Sequence, residues 1–155
     1  MQYVEGADQD ATGCVFCELL AEDDDDRTNI LWRGRDVFAI LNAFPYNTGH
    51  LMIAPVQHLP GLQDITPAVR AEVMEVTTAA IEIITEAMSP QGFNAGMNLG
   101  AVAGAGIPGH LHMHVVPRWG GDTNYLTTIG DTKVLPEMLA ETAAKLRPGF
   151  ARLQL

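Results

Sequence analysis

Of 155 residues, only two are cysteines, and only nine are lysine or arginine against nineteen aspartates and glutamates. Two cysteines cannot build the disulfide framework of a small secreted domain. A formal net charge of −10 has the wrong sign for gripping nucleic acid through its phosphates, where a basic surface is needed. No apolar run approaches the roughly 20 residues of a membrane span, so no membrane partner is expected. The opening stretch MQYVEGADQDATG lacks the basic start and apolar middle of a signal peptide, and a cytoplasmic protein is the expectation. Aromatics make up only 6%, yet hydrophobic residues reach 47%. That supports a real core in one domain and argues against wholesale disorder.

No repeat, low-complexity tract or internal linker divides the chain. Residues 1–12 are polar and aperiodic and read as a flexible leader; residues 13–150 read as a single domain. Residues 18–21 suggest one helical turn, ended by the acidic run Glu22 to Asp26, a solvated loop by composition. Residues 28–33 and 37–42 read as two strands joined by a turn at Gly34-Arg35-Asp36. Residues 43–49 carry Pro45 and Asn47-Thr48-Gly49 and form a loop. The apolar run 50–56 is a third strand. Thr66-Pro67 opens a long helix, Thr as N-cap and Pro at the first helical position. Its stripe Val69, Val73, Val76, Ala80, Ile83, Ile84 and Ala87 carries it to about Met88. A fourth strand spans 93–99 and a glycine-rich loop 100–109. A last helix spans 136–146, with Met138, Leu139, Thr142, Ala143 and Leu146 as its buried side. Hairpin, strand, long helix, two strands and short helix make an α+β fold.

The chain has five histidines, and three of them alternate with apolar residues in GHLHMHVVPRWGGD, from Gly109 to Asp122. A period of two predicts a strand over 110–116. It sets His110, His112 and His114 on one face, neighbours roughly 6–7 Å apart, and Leu111, Met113 and Val115 on the other. Pro117 ends this strand, since proline cannot donate to a ladder. A neutral imidazole is a competent nucleophile toward phosphorus near pH 7. The middle histidine has a neighbour on either side, which favours His112 as nucleophile and leaves His114 to contact phosphate oxygens or assist the leaving group. The net negative charge is offset locally by a site expected to gather His, Asn, backbone N–H groups and Arg118. Cys14 and Cys17, spaced C-x-x-C, remain open between a zinc half-site, a redox pair and plain buried thiols.

The pattern His-φ-His-φ-His-φ-φ, matched from His110 to Val116, resembles the signature of the histidine triad (HIT) superfamily of nucleotide hydrolases and transferases. The likeness extends over roughly residues 14–147. LNAFPYNTGHLMIAP and HVVPRWGGDTNYL are similar to the branch acting on dinucleoside polyphosphates, which includes diadenosine tetraphosphate phosphorylases. The resemblance implies an antiparallel sheet of about five strands packed on one long and one short helix, and a homodimer. It assigns the nucleophile to His112. It implies substrate contacts from Asn42 to the ribose, from His50 at or behind the site, from Asn98 to the phosphates, and from His114. It implies cleavage of a dinucleoside polyphosphate at an α-phosphate through a nucleotidyl-histidine, with water or inorganic phosphate as acceptor. Phosphoramidate cleavage is the runner-up reaction, weakened because Ala105-Gly106-Ile107-Pro108-Gly109 lacks the Ser or Thr hydroxyl of many relatives. A non-catalytic nucleotide-binding module is the competing class. In zinc-carrying relatives a C-x-x-C pair joins a histidine at the position of His58 and the first triad histidine. The resemblance thus implies a structural zinc on Cys14, Cys17, His58 and His110.

Overall fold

The computed structural model describes residues 13–123 and 137–155; the leader at 1–12 lies outside them. Strands β1 (Ile30–Arg33), β2 (Val37–Leu41), β3 (Leu51–Pro55), β4 (Gly92–Gly96) and β5 (Met113–Arg118) form one sheet, ordered β1-β2-β3-β5-β4. Every neighbouring pair is antiparallel. The helices are α1 (Val15–Leu20), α2 (Asp25–Thr28), α3 (Pro67–Met88) and α4 (Leu139–Phe150). The architecture is the expected α+β one. Among the described residues no helix is long and apolar enough to cross a membrane.

The central strands VFAIL and LMIAP are buried throughout, as continuous apolar runs covered on both faces must be. One face meets the helices: Ala39, Leu41, Leu51, Ile53 and Val115 pack against Val73, Val76, Ala80 and Ile84 of α3, with Leu146 and Phe150 of α4. The opposite face carries Phe38, Ile40, Met52 and Ala54 under Cys14 and Phe16. Successive side chains of β5 therefore divide cleanly. Val115 enters the helical core, and the even-numbered histidines lie on the other side.

Helix α3 starts and stops where its signals stand. Thr66 Oγ1 accepts the Val69 N–H at 3.3 Å, and Ser89 closes the helix in the left-handed region at φ 50°. Ala87 is exposed, so the fully buried part of the expected stripe ends at Ile84. Gly49 shapes the turn into β3. Its φ is +80°, and a Cβ there would stand 3.0 Å from Pro117 and 3.1 Å from the Met88 sulfur, so both conformation and space call for glycine.

Several boundaries depart from expectation, among them the turn expected at 18–21, which is a helix over Val15–Leu20. The acidic run is not all loop: Asp24 caps α2 by accepting the Arg27 N–H, and Asn29 leaves α2 at φ 61°, so β1 begins only at Ile30. β4 ends at Gly96, three residues early. The histidine strand is displaced: the ladder begins at Met113 and continues through Pro117 to Arg118. Proline fits because β5 has parted from β3 there. The Pro117 carbonyl accepts from Asn47 Nδ2 at 3.1 Å, on the side away from β4, so its missing N–H points the same way and no ladder bond is lost. The last helix runs Leu139–Phe150, with Pro148 tolerated in the final turn; Met138 is the exposed N-cap, and Phe150 joins Thr142, Ala143 and Leu146 on the buried side. Pro136 lies outside the described residues.

Candidate active site

The C-x-x-C motif sits at the head of α1, and α1 lies on the sheet face opposite α3. Cys14 Sγ is 3.4 Å from His110 Nδ1, Cys17 Sγ is 3.7 Å from that nitrogen, and Cys17 Sγ is 3.5 Å from His58 Nδ1. All four ligand atoms lie within 4.8 Å of one another. Tetrahedral zinc, with Zn–N of about 2.0–2.1 Å and Zn–S of about 2.3 Å, gives ligand–ligand edges of about 3.3–3.8 Å. The donor set therefore fits that ion. His110 Nε2 lies 2.7 Å from the Pro55 carbonyl; as the hydrogen donor there, it turns the Nδ1 lone pair toward the sulfurs, the orienting contact common behind metal-bound histidines. Burial, then the neighbouring Cys14 sulfur, pushes the Cys17 thiol up to about 11, a tendency that a coordinated cation reverses.

The chain between cluster and strand, residues 111–112, belongs to no strand. It is fixed by other bonds: Leu111 N–H donates to the Leu59 carbonyl at 2.7 Å, and the Phe16 ring meets His110 and His112 edge-on at 5.2 and 5.4 Å between centroids. His112 Nδ1 lies 2.8 Å from the His110 carbonyl. A carbonyl only accepts, so Nδ1 carries the hydrogen and Nε2 keeps its lone pair. Burial lowers the His112 pKa, which keeps the ring neutral and nucleophilic at pH 7.

His114 follows on the same side, its ring 4.8 Å from that of His112. Its tautomer is set from behind. The Tyr46 N–H donates to His50 Nδ1 at 2.9 Å, and Asn42 Nδ2 approaches the same nitrogen at 3.4 Å. His50 Nε2 therefore carries the hydrogen and donates to His114 Nδ1 at 2.9 Å. His114 is left with a hydrogen on Nε2, a donor suited to a phosphate oxygen. Burial first, then the neighbouring His112, lowers the His114 pKa to about 4. His50, His112 and Tyr46 are the titratable groups against it. An NMR titration of the His114 ring is expected to show a midpoint near pH 4; one near the unperturbed value of about 6.5 would contradict this account. With the folded pKa below the unfolded one, the unfolded chain binds the extra proton. The stability His114 contributes is then complete above about pH 6.5 and is lost as pH falls toward 4.

Comparison with known proteins places this geometry. A family model described as the HIT domain matches residues 24–121. The chain belongs to the HIT domain family. It is 46% identical over 128 residues to a Mycobacterium tuberculosis protein named AP-4-A phosphorylase, covering 83% of this chain and 66% of that protein; it thus spans just under two thirds of that relative's length. It is 28% identical over 91 residues to the asymmetrical bis(5'-nucleosyl)-tetraphosphatase of Schizosaccharomyces pombe, 59% of this chain and 50% of the other. Among solved structures, a Zn-bound histidine triad family protein from Mycobacterium smegmatis superposes with a TM-score of 0.74 at 26% identity, over 92% of this chain and 96% of that one.

Within this HIT domain the residues singled out from sequence do not all reach the same space. His110 is buried against the cysteines rather than aligned with His112 and His114. His50 is wholly buried, so its influence on a ligand passes through His114. Asn42 is half-buried, its Oδ1 accepting the Phe44 N–H at 2.9 Å. Asn98 Nδ2 donates to the Gly104 carbonyl at 3.3 Å and so ties down the glycine-rich loop. Arg118 is not a spare cation for phosphate: Nε and Nη2 both bind the Asp122 carboxylate at 2.7 Å, and Nη1 binds Asn94. Two contributors went unread in the sequence. Phe16 lies inside the C-x-x-C spacing, and Tyr46 stacks on His114 at 5.7 Å and 26°. The only sequence signal for Tyr46 is an aromatic residue four places before His50, in a loop that must double back.

Proposed function

We propose that this HIT domain cleaves dinucleoside polyphosphates at an α-phosphate through a nucleotidyl-His112 intermediate. The observation that carries the reading is the pair of fixed tautomers: a neutral His112 with its Nε2 lone pair available, beside a His114 whose Nε2 bears hydrogen. His112 Nε2 attacks the α-phosphorus; the N–P bond forms as the P–O bond to the leaving nucleoside polyphosphate breaks. The His114 N–H holds a non-bridging oxygen as charge develops on it. An acceptor oxygen then attacks the same phosphorus, the N–P bond breaks, and His112 returns neutral. The name of the 46% identical relative favours inorganic phosphate as that acceptor. Asn42 would meet the ribose and Asn98 would hold the loop over the phosphates. Incubation with diadenosine tetraphosphate and phosphate is expected to yield ADP and ATP. AMP and ATP would instead mean hydrolysis, and no product with or without phosphate would favour a binding module.

A structural zinc on Cys14, Cys17, His58 and His110 belongs to the same reading. With four protein ligands it supplies cross-linking and no activated water. We infer a cytoplasmic location, where the thiols stay reduced, and a homodimer. β4 is a sheet edge whose residues 94–96 are exposed, a natural site for strand pairing between copies. Light scattering at micromolar concentration is expected to report twice the chain mass of 16.7 kDa; a single-chain mass throughout would rule out the dimer.

A further inference from the structure

Beyond His114, the same face of the sheet opens into a cleft of about 240 Å³ walled by Tyr46, Asn94, Val116 and the Arg118–Asp122 pair. We propose that this cleft is a subsite for the heteroaromatic base of the leaving nucleotide. The inference rests on the reaction proposed above and adds to it the place where the second nucleoside is held.

Three features argue for a neutral planar ligand. The first is charge. Among the described residues Arg118 is the one cation in the wall, and Asp122 neutralises it with both oxygens. Asp122 is held well below the usual carboxylate range, chiefly by its hydrogen bond to Arg118, so it stays ionised beside the guanidinium. A phosphate would meet a satisfied ion pair with a fixed negative charge beside it. A neutral base meets no such penalty.

The second feature is shape. Tyr46 is 52% exposed, and its ring is braced by a tilted contact with the His50 imidazole at 4.6 Å and by stacking on that of His114 at 5.7 Å. An aromatic ring braced in this way is a platform for a base, and its sequence tolerance is that of stacking generally. Val116 gives an apolar floor. Asn94, opposite Val116 in the ladder, has Oδ1 taken by Arg118 and keeps its amide nitrogen to meet an acceptor on a heterocycle. The cavity lies below the roughly 300–1,000 Å³ of drug-sized pockets, which suits one base rather than a whole nucleotide.

The third feature is reach. His112, His114 and Val116 follow one another on one face, so the cleft floor lies roughly 13 Å from the nucleophile along the strand. A bridging polyphosphate with its ribose covers that span; a lone phosphate does not. Gly96 stands opposite His114, so β4 sets no side chain beside His114 on the way from the nucleophile to the cleft.

The test compares two substrates that share the reacting phosphorus: diadenosine tetraphosphate, and adenosine 5′-tetraphosphate, which lacks the second nucleoside. The wild type is expected to prefer the first in kcat/KM by roughly five- to a hundred-fold, the range of one base stacked on an aromatic side chain. Tyr46→Leu and Asn94→Ala are expected to shrink that preference toward unity, while Tyr46→Phe retains it. Equal kcat/KM for both compounds in the wild type overturns the subsite and leaves the reaction standing. Variants that slow both substrates equally also overturn it, since Tyr46 would then act only through His114. Cleavage of neither compound removes the reaction itself, and the subsite with it.

Discussion

Replacing His112 by alanine is expected to reduce turnover of diadenosine tetraphosphate by roughly 10⁴-fold or more, the scale seen when a covalent nucleophile is lost. The size of the effect follows from the neighbours. His110 is buried, with Nδ1 in the cysteine cluster and Nε2 on Pro55. His114 has Nδ1 occupied by His50 and a hydrogen on Nε2. Neither presents a lone pair where His112 does, so no second imidazole takes over. Nucleotide binding should survive, because the loops and the Tyr46 cleft are untouched. Quenched turnovers of the wild type should yield a chain heavier by one nucleotidyl group, and His112→Ala should yield none. Wild-type turnover in the variant would remove His112 from this role.

The second large effect concerns the cluster at the head of α1. Protein purified without chelator is expected to carry about one zinc per chain. Removing it with a strong chelator, or replacing Cys17 by serine, should lower the melting temperature by roughly 10 °C or more. A structural zinc contributes folding free energy of several kcal/mol, and each kcal/mol is worth about 2–4 °C in a chain of this size. Activity should fall with it. The His110 carbonyl fixes the His112 tautomer, and His110 is held by the cluster. Less than about a tenth of an equivalent of zinc, with an unchanged melting temperature in chelator, would refute the site.

Some of this was legible in the chain and some was not, for physical reasons. Helix α3 could be read to the residue at its start and closely at its end because its signals are local: a hydroxyl cap, a proline at the first turn, and a stripe at helical spacing. The histidine alternation was legible as a strand only from Met113 onward, and its boundary was not. A period of two reports side-chain direction, whereas the ladder depends on a partner, and β3 reaches only Met113. Pro117 misled for the same reason: whether a missing N–H matters depends on which neighbour it faces. Arg118 carries a positive charge in the sequence; only the fold brings Asp122 and Asn94 around it. The tautomers of His50, His112 and His114 depend on backbone groups of Tyr46 and His110, whose directions no side-chain pattern encodes.

The bonds from Tyr46 through His50 to His114 all point one way, from the loop toward the cleft. The inner end of this row is sealed: His50 Nδ1 already faces the Tyr46 N–H and the Asn42 amide. Such a row is a dead end rather than a wire. It can polarise His114, but the Tyr46 and Asn42 amides at its inner end neither give up nor take a proton. Along this row, a hydrogen that His114 lends on its outer nitrogen comes back by the same door.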